Sequence, residues 1–175
     1  DIEITVPFYS IASYDDSGVT GYRSSYVLEE GEYCFFVGTD VRTELKSGAF
    51  SYCDVLQSIV IPDGVSEIGV SVFAGCLSLS NVTFPKSLKT IKSIAFDCCY
   101  SLKNVILPEG LETIEEGAFE ECTNLKKIIV KSSTPATLGV NAFNINGNDW
   151  YIYVQDETVD TYKTAWATYK DHIKP

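Results

Sequence analysis

Apolar residues recur with a fixed period of 23 positions through the middle of the chain. Each unit has a phenylalanine, a cysteine three residues later, a leucine three residues after that, and apolar residues three and five positions further on. The equivalent residues are Phe50, Phe73, Phe96 and Phe119; Cys53, Cys76, Cys99 and Cys122; Leu56, Leu79, Leu102 and Leu125; Ile59, Val82, Val105 and Ile128; and Ile61, Phe84, Leu107 and Val130. A repeat of this length predicts a solenoid, in which every unit forms one coil that contacts only its neighbours.

The second half of each unit predicts a short β-strand. In the pattern L-x-x-I-x-I the last two apolar residues are two positions apart, which is the spacing of side chains on one face of a strand. Pro62, Pro85 and Pro108 follow the strand in three units, where a residue without an N–H ends the pairing. We therefore expect parallel pairing between successive coils. The Phe-x-x-Cys segment on the far side is expected to form a helical turn whose phenylalanine and cysteine point inward.

The four blocks of the form [AV]-F-x-x-C-x-x-L resemble the BspA-type leucine-rich repeats of bacterial surface proteins. The resemblance covers about residues 45 to 175. It implies an α/β fold, a short leucine-rich-repeat solenoid of four full coils and a degenerate fifth. It also implies a secreted or surface-attached protein that adheres to host proteins or other cells. Members of that family share no catalytic residues that could be carried over to this chain.

A solenoid needs caps because its core is exposed at both ends. The fifth unit begins at Leu138 and loses the pattern after Phe143, so we expect Phe143 to tolerate substitution better than the central phenylalanines. Residues 151–154 predict a last strand, and residues 157–173 predict a short helix with apolar residues at helical spacing. This ending resembles the C-terminal cap of secreted proteins of the same family.

The first part of the chain follows another pattern, in which residues 2–8, 26–28 and 33–38 predict three β-strands. The string SYVLEEGEYCFFVGTDVR resembles the last strands of the fibronectin-III-like domain in family 3 glycoside hydrolases, but the catalytic barrel of that family has no counterpart here. Three strands rarely stand alone, so we expect them to pack on the first coil near Leu45. The predicted division is an N-terminal β cap (1–43), leucine-rich repeats (44–149) and a C-terminal strand–helix cap (150–175).

Composition excludes several classes of protein. With 45% hydrophobic residues, the 175-residue chain can bury a core, which argues against disorder. Its net charge of −11 argues against nucleic-acid binding, which needs clustered Lys and Arg. No apolar run approaches the ~20 residues that cross a bilayer. The chain begins with Asp1 rather than methionine, so we expect a processed product.

Four of the six cysteines belong to one repeated column, Cys53, Cys76, Cys99 and Cys122. Metal ligands must converge on one point, which a column along the solenoid axis does not do. We therefore interpret these residues as structural thiols, with a disulfide or a metal site as the alternative. Cys34 and Cys98 lie outside the column, and we expect Cys98 on the outer surface, where its thiol could oxidise.

Three other polar features are weak candidates for chemistry. They are an Asn-rich cluster (Asn144, Asn146, Asn148 and Asp149), the lone His172, and the pairs Glu115/Glu116 and Glu120/Glu121. The Asn-rich cluster lacks a convincing acidic ligand at the last position of a calcium loop, so an ordinary loop is favoured. The histidine has no evident nucleophile as partner, and the glutamate pairs are interpreted as a solvated acidic edge. We therefore expect no catalytic residues, no metal, no cofactor and no enzymatic activity.

The three x positions of L-x-x-I-x-I are expected to point outward and form an open strand face. The candidate binding residues on it are Val60, Thr83, Lys103, Asn104, Ile106, Lys126, Lys127 and Ile129. Repeat proteins use such extended faces for binding, and this one becomes basic toward the C-terminal coils. The alternative is a solvated sheet without a ligand, since outward β-branched residues also favour strands.

These features favour a non-catalytic, extracellular or cell-surface module that binds a protein partner, such as a host or matrix protein. The alternative is an accessory module of a carbohydrate-active enzyme with a glycan ligand, which the glycosidase-like strands suggest. Glycan sites use exposed aromatic platforms, and the predicted strand face carries no aromatic residue. That absence favours a protein partner.

Overall fold

Two strands near the N-terminus pair with each other beside the first coil. A computed structural model of the chain describes residues 2–7, 32–37, 44–145 and 149–175. In it β1 (Ile2–Pro7) pairs antiparallel with β2 (Glu32–Val37). β1 lies near the first strand of the strand face, Ser58–Val60. The predicted strand at 26–28 lies outside the described residues, and the capping role of this region stays a prediction.

Each 23-residue unit forms one coil with two short strands. The strand face holds a pair of strands, β4 (Ser58–Val60) and β6 (Asn81–Thr83), followed by a four-stranded sheet of β8 (Asn104–Leu107), β10 (Lys127–Val130), β12 (Tyr151–Tyr153) and β13 (Ile173–Lys174). A second parallel sheet contains β3 (Glu44–Leu45), β5 (Glu67–Ile68), β7 (Thr90–Ile91), β9 (Thr113–Ile114) and β11 (Thr137–Leu138). The pairing is parallel and in register, as the repeat predicts, with Ile106 beside Ile129 in adjacent coils. The two-residue strands of the second sheet were not expected.

The core is a stack of the repeated side chains. The rings of Phe73, Phe96 and Phe119 are fully buried, and consecutive rings stack with centroids 5.1 Å apart. Phe143 continues the stack at 5.6 Å and is only 1% exposed, because Trp166 and Tyr169 of the C-terminal cap cover it. The degenerate fifth coil therefore does not expose Phe143, and the expectation that this residue tolerates substitution loses its basis.

The Phe-x-x-Cys segments are successive turns rather than helical turns. Phe73 N–H donates to Ala95 O of the next coil at 2.8 Å, while Cys76 N–H closes a turn onto Phe73 O at 3.1 Å. Phe73 and Cys76 point inward, as expected, and both are fully buried. A helix would keep every N–H within its own coil, whereas here part of the backbone links adjacent coils.

Two columns of left-handed backbone bend each coil on this side. They contain Gly48, Ser71, Ile94, Gly117 and Asn141 in the first column, and Tyr52, Gly75, Cys98 and Glu121 in the second. Glycine is the default residue for such a conformation because it has no Cβ, yet only three of these nine positions hold it. The conformation therefore follows from the coil and not from the residue at each position.

The C-terminal cap differs from the single helix predicted for 157–173. A 3-10 helix (Asp156–Thr158) leads into α1 (Val159–Ala165), and a second 3-10 helix (Ala167–His172) leads into β13. The helix breaks at Trp166, whose indole N–H donates to Ala136 O at 2.8 Å. β12 is therefore not the last strand. β13 pairs with its free edge, placing Ile173 beside Ile152.

Candidate binding face

All eight candidate residues lie on the strand face or immediately before its strands. Val60, Thr83, Asn104, Ile106 and Lys127 are exposed strand residues, Ile129 is half-buried, and Lys103 and Lys126 directly precede β8 and β10. Val60 and Ile106 stay 52% and 48% exposed, which is high for aliphatic side chains. The sheet therefore presents the predicted columns side by side, and their role in binding stays a prediction.

The strand face carries two aromatic residues that the sequence analysis did not place there. β12 pairs with β10, so Tyr151 lies beside Lys127 and Tyr153 lies beside Ile129. The expectation of a face without aromatic residues was wrong. Tyr151 follows Lys127 by 24 positions instead of 23, because an insertion shifts the fifth coil. Continuing the repeat with a spacing of 24 residues would have placed both tyrosines on the strand face.

Lysine ammonium groups lie over both tyrosine rings. Lys127 Nζ is 4.7 Å from the centroid of the Tyr153 ring, and Lys174 Nζ is 5.2 Å from the centroid of the Tyr151 ring. The two rings meet edge to face, with centroids 6.5 Å apart. These are cation–π distances, so the end of the face combines ordered aromatic area with positive charge.

Negative charge is concentrated away from this face. Among the outward positions of the described strands β4 to β13 on the strand face, none holds a carboxylate, although the chain has 24 Asp and Glu. Beside the second sheet, Lys92 Nζ lies 3.1 Å from Glu115 of the following coil and 3.5 Å from Glu67 of the preceding coil. Burial acts to raise the pKa of Glu115, but hydrogen bonds from Lys92 and Ser93 outweigh it and lower the pKa. The two sides of the solenoid therefore differ in charge.

Three of the four cysteines in the column form a ladder of buried thiols, and the fourth, Cys53, is half-buried. The Sγ atoms of Cys76, Cys99 and Cys122 each donate to a phenylalanine carbonyl 26 residues earlier, at 3.0, 3.2 and 3.1 Å. All three are free thiols. Burial raises the pKa of Cys76 to about 12 and raises the pKa values of Cys99 and Cys122 still further. A thiol that stays protonated is a poor nucleophile and a poor metal ligand. These surroundings therefore favour a role of the cysteines in packing the coils over a role in chemistry.

Of the two cysteines outside the column, Cys98 has a described side chain. It lies at a coil bend and is half-buried, so its thiol is less exposed than expected, and its Sγ lies 3.5 Å from Asp97 Oδ1. Burial and the charge of Asp97 raise the pKa of Cys98, against a hydrogen bond with Tyr100 that lowers it. This thiol is therefore less prone to oxidation than an exposed one. The side chain of Cys34 lies outside the described residues.

The remaining candidates have structural surroundings. The His172 ring stacks on Trp150 with centroids 4.0 Å apart, and its Nδ1 lies 2.9 Å from Trp150 O. Glu120 accepts a hydrogen bond from the Asn144 amide at 2.9 Å. Asn146 and Asn148 lie outside the described residues. Within 44–145 and 149–175, no group of three or more His, Cys, Asp or Glu could hold a metal ion.

Parallel coils that each place a short strand on one face define a leucine-rich-repeat solenoid. The chain belongs to the family described as BspA type leucine rich repeat region, which matches residues 43–165 in six copies. That number exceeds the four full coils and the degenerate fifth expected from the pattern. In the part of the chain that the structure describes, no helix is long and apolar enough to cross a membrane.

Two solved structures of bacterial leucine-rich-repeat proteins share this fold. A leucine-rich-repeat protein from T. pallidum is 28% identical, with a TM-score of 0.59 over 63% of this chain and 51% of that chain. A leucine-rich cell surface protein from Faecalibacterium prausnitzii is 26% identical, with a TM-score of 0.54 over 67% of this chain and 31% of that chain. The present chain therefore spans about half the length of the first protein and a third of the second.

A short segment is also similar to an enzyme. Over 50 residues the chain is 48% identical to a β-glucosidase from Ruminococcus albus. The match covers 29% of this chain and 5% of the enzyme. A likeness to one-twentieth of an enzyme is no basis for assigning the activity of that protein to this chain.

Proposed function

We propose that this chain is a non-catalytic module of a secreted or cell-surface protein and that it binds a protein partner through the strand face. The observation that carries the proposal is the composition of that face. In a chain of net charge −11, the outward positions of its described strands hold aliphatic residues, tyrosines and lysines beside four uncharged polar residues, and no carboxylate. An apolar strip rimmed by polar and charged residues is typical of protein-binding surfaces.

The surface location rests on the family and on the Faecalibacterium prausnitzii relative, which is a leucine-rich cell surface protein. A second candidate function is that of an accessory module in a carbohydrate-active enzyme. The similarity to a β-glucosidase and the two tyrosines on the strand face favour it. Against it, lysine ammonium groups lie over both tyrosine rings, where a sugar would have to stack.

The test is binding kinetics on variants of the face. Proteins of the host matrix and of neighbouring bacteria are screened for binding, and each binder is measured against Ile106→Asp and Lys126→Glu. A buried polar group weakens the complex, so Ile106→Asp should raise the off-rate. Lys126→Glu reverses a rim charge and should lower the on-rate, more at low salt than at high salt.

Val140→Asp is the matched control, because Val140 is 71% exposed and precedes a coil bend outside the strand face. All three variants must melt like the parent protein. A binder whose kinetics respond to Val140→Asp but ignore the two face variants places the interface elsewhere and contradicts the proposal.

A further inference from the structure

The last two strands of the face bring two lysines and two tyrosines into one cluster. The parallel pairing of β10 with β12 sets Lys127 beside Tyr151, and the pairing of β12 with β13 sets Lys174 beside Tyr153. The side chains extend diagonally, so Lys127 Nζ lies 4.7 Å from the Tyr153 ring centroid and Lys174 Nζ lies 5.2 Å from the Tyr151 ring centroid. Lys127, Tyr151, Tyr153 and Lys174 form what we call the lysine–tyrosine cluster.

Neither ammonium group of this cluster has a carboxylate within 4.0 Å in the described part of the chain. Its ion pairs within 4.0 Å join Lys89 and Lys92 to glutamates, and neither Lys127 nor Lys174 takes part in one. A cation–π contact orients an ammonium group but does not neutralise it. Both groups therefore keep donors available for an anion, in a chain whose overall charge is strongly negative.

The geometry favours an extended ligand with more than one carboxylate. β10 and β13 flank β12, so the backbones of the two lysines belong to strands about 10 Å apart. That distance corresponds to about three residues of extended peptide. The tyrosines between the lysines add apolar contact area for the intervening side chains. Each ring carries an ammonium group over one face, which leaves less aromatic surface for a sugar ring to stack on.

We propose that the lysine–tyrosine cluster binds an extended, Asp- and Glu-rich segment of the protein partner. This inference rests on the proposed function and adds the chemistry of the partner and the part of the face that it contacts. Binding should depend on salt, because both lysines are exposed and their attraction to carboxylates is screened by ions.

The experiment uses the full chain and a labelled peptide of about ten residues, long enough to cross three strands. The peptide repeats the unit Glu-Gly-Ser, which spaces its carboxylates about three residues apart, and a matched peptide has Gln in place of every Glu. Fluorescence anisotropy is recorded at about 50 mM and 150 mM salt. We expect the Glu peptide to bind, more weakly at the higher salt, and the Gln peptide not to bind.

Variants locate the site. Lys127→Gln combined with Lys174→Gln should weaken binding by about tenfold, the loss expected for two exposed ion pairs. Tyr153→Leu should weaken it less, because the change keeps apolar area but removes the contact that orients Lys127. The control is Lys86→Gln with Lys163→Gln, which removes two exposed lysines elsewhere and should leave binding unchanged. Melting temperatures are measured for all variants.

Three results would overturn the inference. They are equal binding of the Glu and Gln peptides, equal loss in the control variant, and cluster-dependent binding of an acidic polysaccharide such as polygalacturonate without binding of the Glu peptide. The two proposals fail separately. A protein partner sensitive to Ile106→Asp but not to the double lysine variant refutes the acidic segment alone. Peptide binding at the cluster, with protein binders that ignore Ile106→Asp and Lys126→Glu, refutes the proposed function.

Discussion

The rings of Phe96 and Phe119 lie parallel, with centroids 5.1 Å apart and an interplanar angle of 3°. They belong to successive coils, so each ring packs against two neighbours along the solenoid axis. Stacked rings usually lie offset to reduce the repulsion between their faces, and such pairs contribute about 0.5–1.5 kcal/mol beyond the burial of their area. One side chain per coil thus joins the coils into a continuous core.

Removing a ring from this stack should be costly at both the centre and the C-terminal end. Phe96→Ala and Phe143→Ala should each reduce the free energy of unfolding by roughly 3–5 kcal/mol, the range for a buried phenylalanine. Phe50→Ala should cost less, because Phe50 is half-buried. Urea unfolding followed by circular dichroism measures all three. A cost for Phe143→Ala no larger than that for Phe50→Ala would contradict the capping of Phe143 by Trp166 and Tyr169.

The buried thiols should resist modification in the folded protein. Cys76, Cys99 and Cys122 are fully buried, and the raised pKa values keep them protonated. Iodoacetamide labelling read by peptide mass spectrometry should modify them only after urea unfolding. Reductant should leave the melting temperature unchanged, since these three are free thiols. Rapid labelling of Cys99 in the native protein would contradict this ladder.

Gly69 should not tolerate a side chain. A Cβ at this position would lie 2.5 Å from Leu45 O and 2.8 Å from Ser47 N, both backbone atoms of the preceding coil. Gly69→Ala should therefore destabilise the protein by about 2–3 kcal/mol through overpacking. Gly110→Ala is the control, because its nearest heavy atom lies at 3.3 Å, and it should cost under about 1 kcal/mol. An equal loss of stability in the two variants would contradict the close approach of adjacent coils at Gly69.

The protein should become more stable when Ile94 is replaced by a residue that tolerates left-handed backbone. Its φ is 50°, a region that is costly for a β-branched side chain. Asn occupies the equivalent position 141 with φ 56°, so Ile94→Asn should stabilise the protein by about 0.5–1 kcal/mol. Val70→Asn is the control, because Val70 has similar exposure without a positive φ. A gain for Val70→Asn as large as that for Ile94→Asn would attribute the effect to surface polarity.

Asp97 should make stability depend on pH in the opposite sense to a salt-bridged carboxylate. Burial and the charges of Glu120 and Glu121 raise its pKa above 3.8, against hydrogen bonds from Cys98. The folded state then binds the proton more tightly than the unfolded state, so the contribution of Asp97 to stability falls as pH rises through its folded pKa.

Asp97→Asn tests this relation because it removes the charge and keeps the size. At about pH 7 the variant should melt roughly 1–3 °C higher than the parent, and at about pH 3 the two should coincide. Glu115→Gln is the opposite control, since the pKa of Glu115 is lowered by Lys92 and Ser93 after burial has acted to raise it. That variant should be less stable at neutral pH. An increase in stability for both Asp97→Asn and Glu115→Gln would attribute the effect to the net charge of the chain and not to local contacts.

Much of the candidate face could be predicted from the repeat alone. The outward columns of Val60, Ile106 and Lys127 follow from a period of two within each strand and of 23 between strands. Tyr151 and Tyr153 escaped prediction because the insertion before the fifth coil changes the spacing to 24. Only the pairing of β12 with β10 shows which residue of the fifth coil lies beside which residue of the fourth.

By itself, the sequence determined the solenoid, its parallel strands, its inward columns and its acidity, because these depend on spacing and composition. The tertiary structure decided what the ends of the repeat do. Trp166 interrupts the predicted helix, Phe143 is buried, and β13 places Lys174 on the strand face. Such contacts join segments whose spacing follows no repeat, and they form only where the last coil leaves apolar surface and a strand edge to be covered.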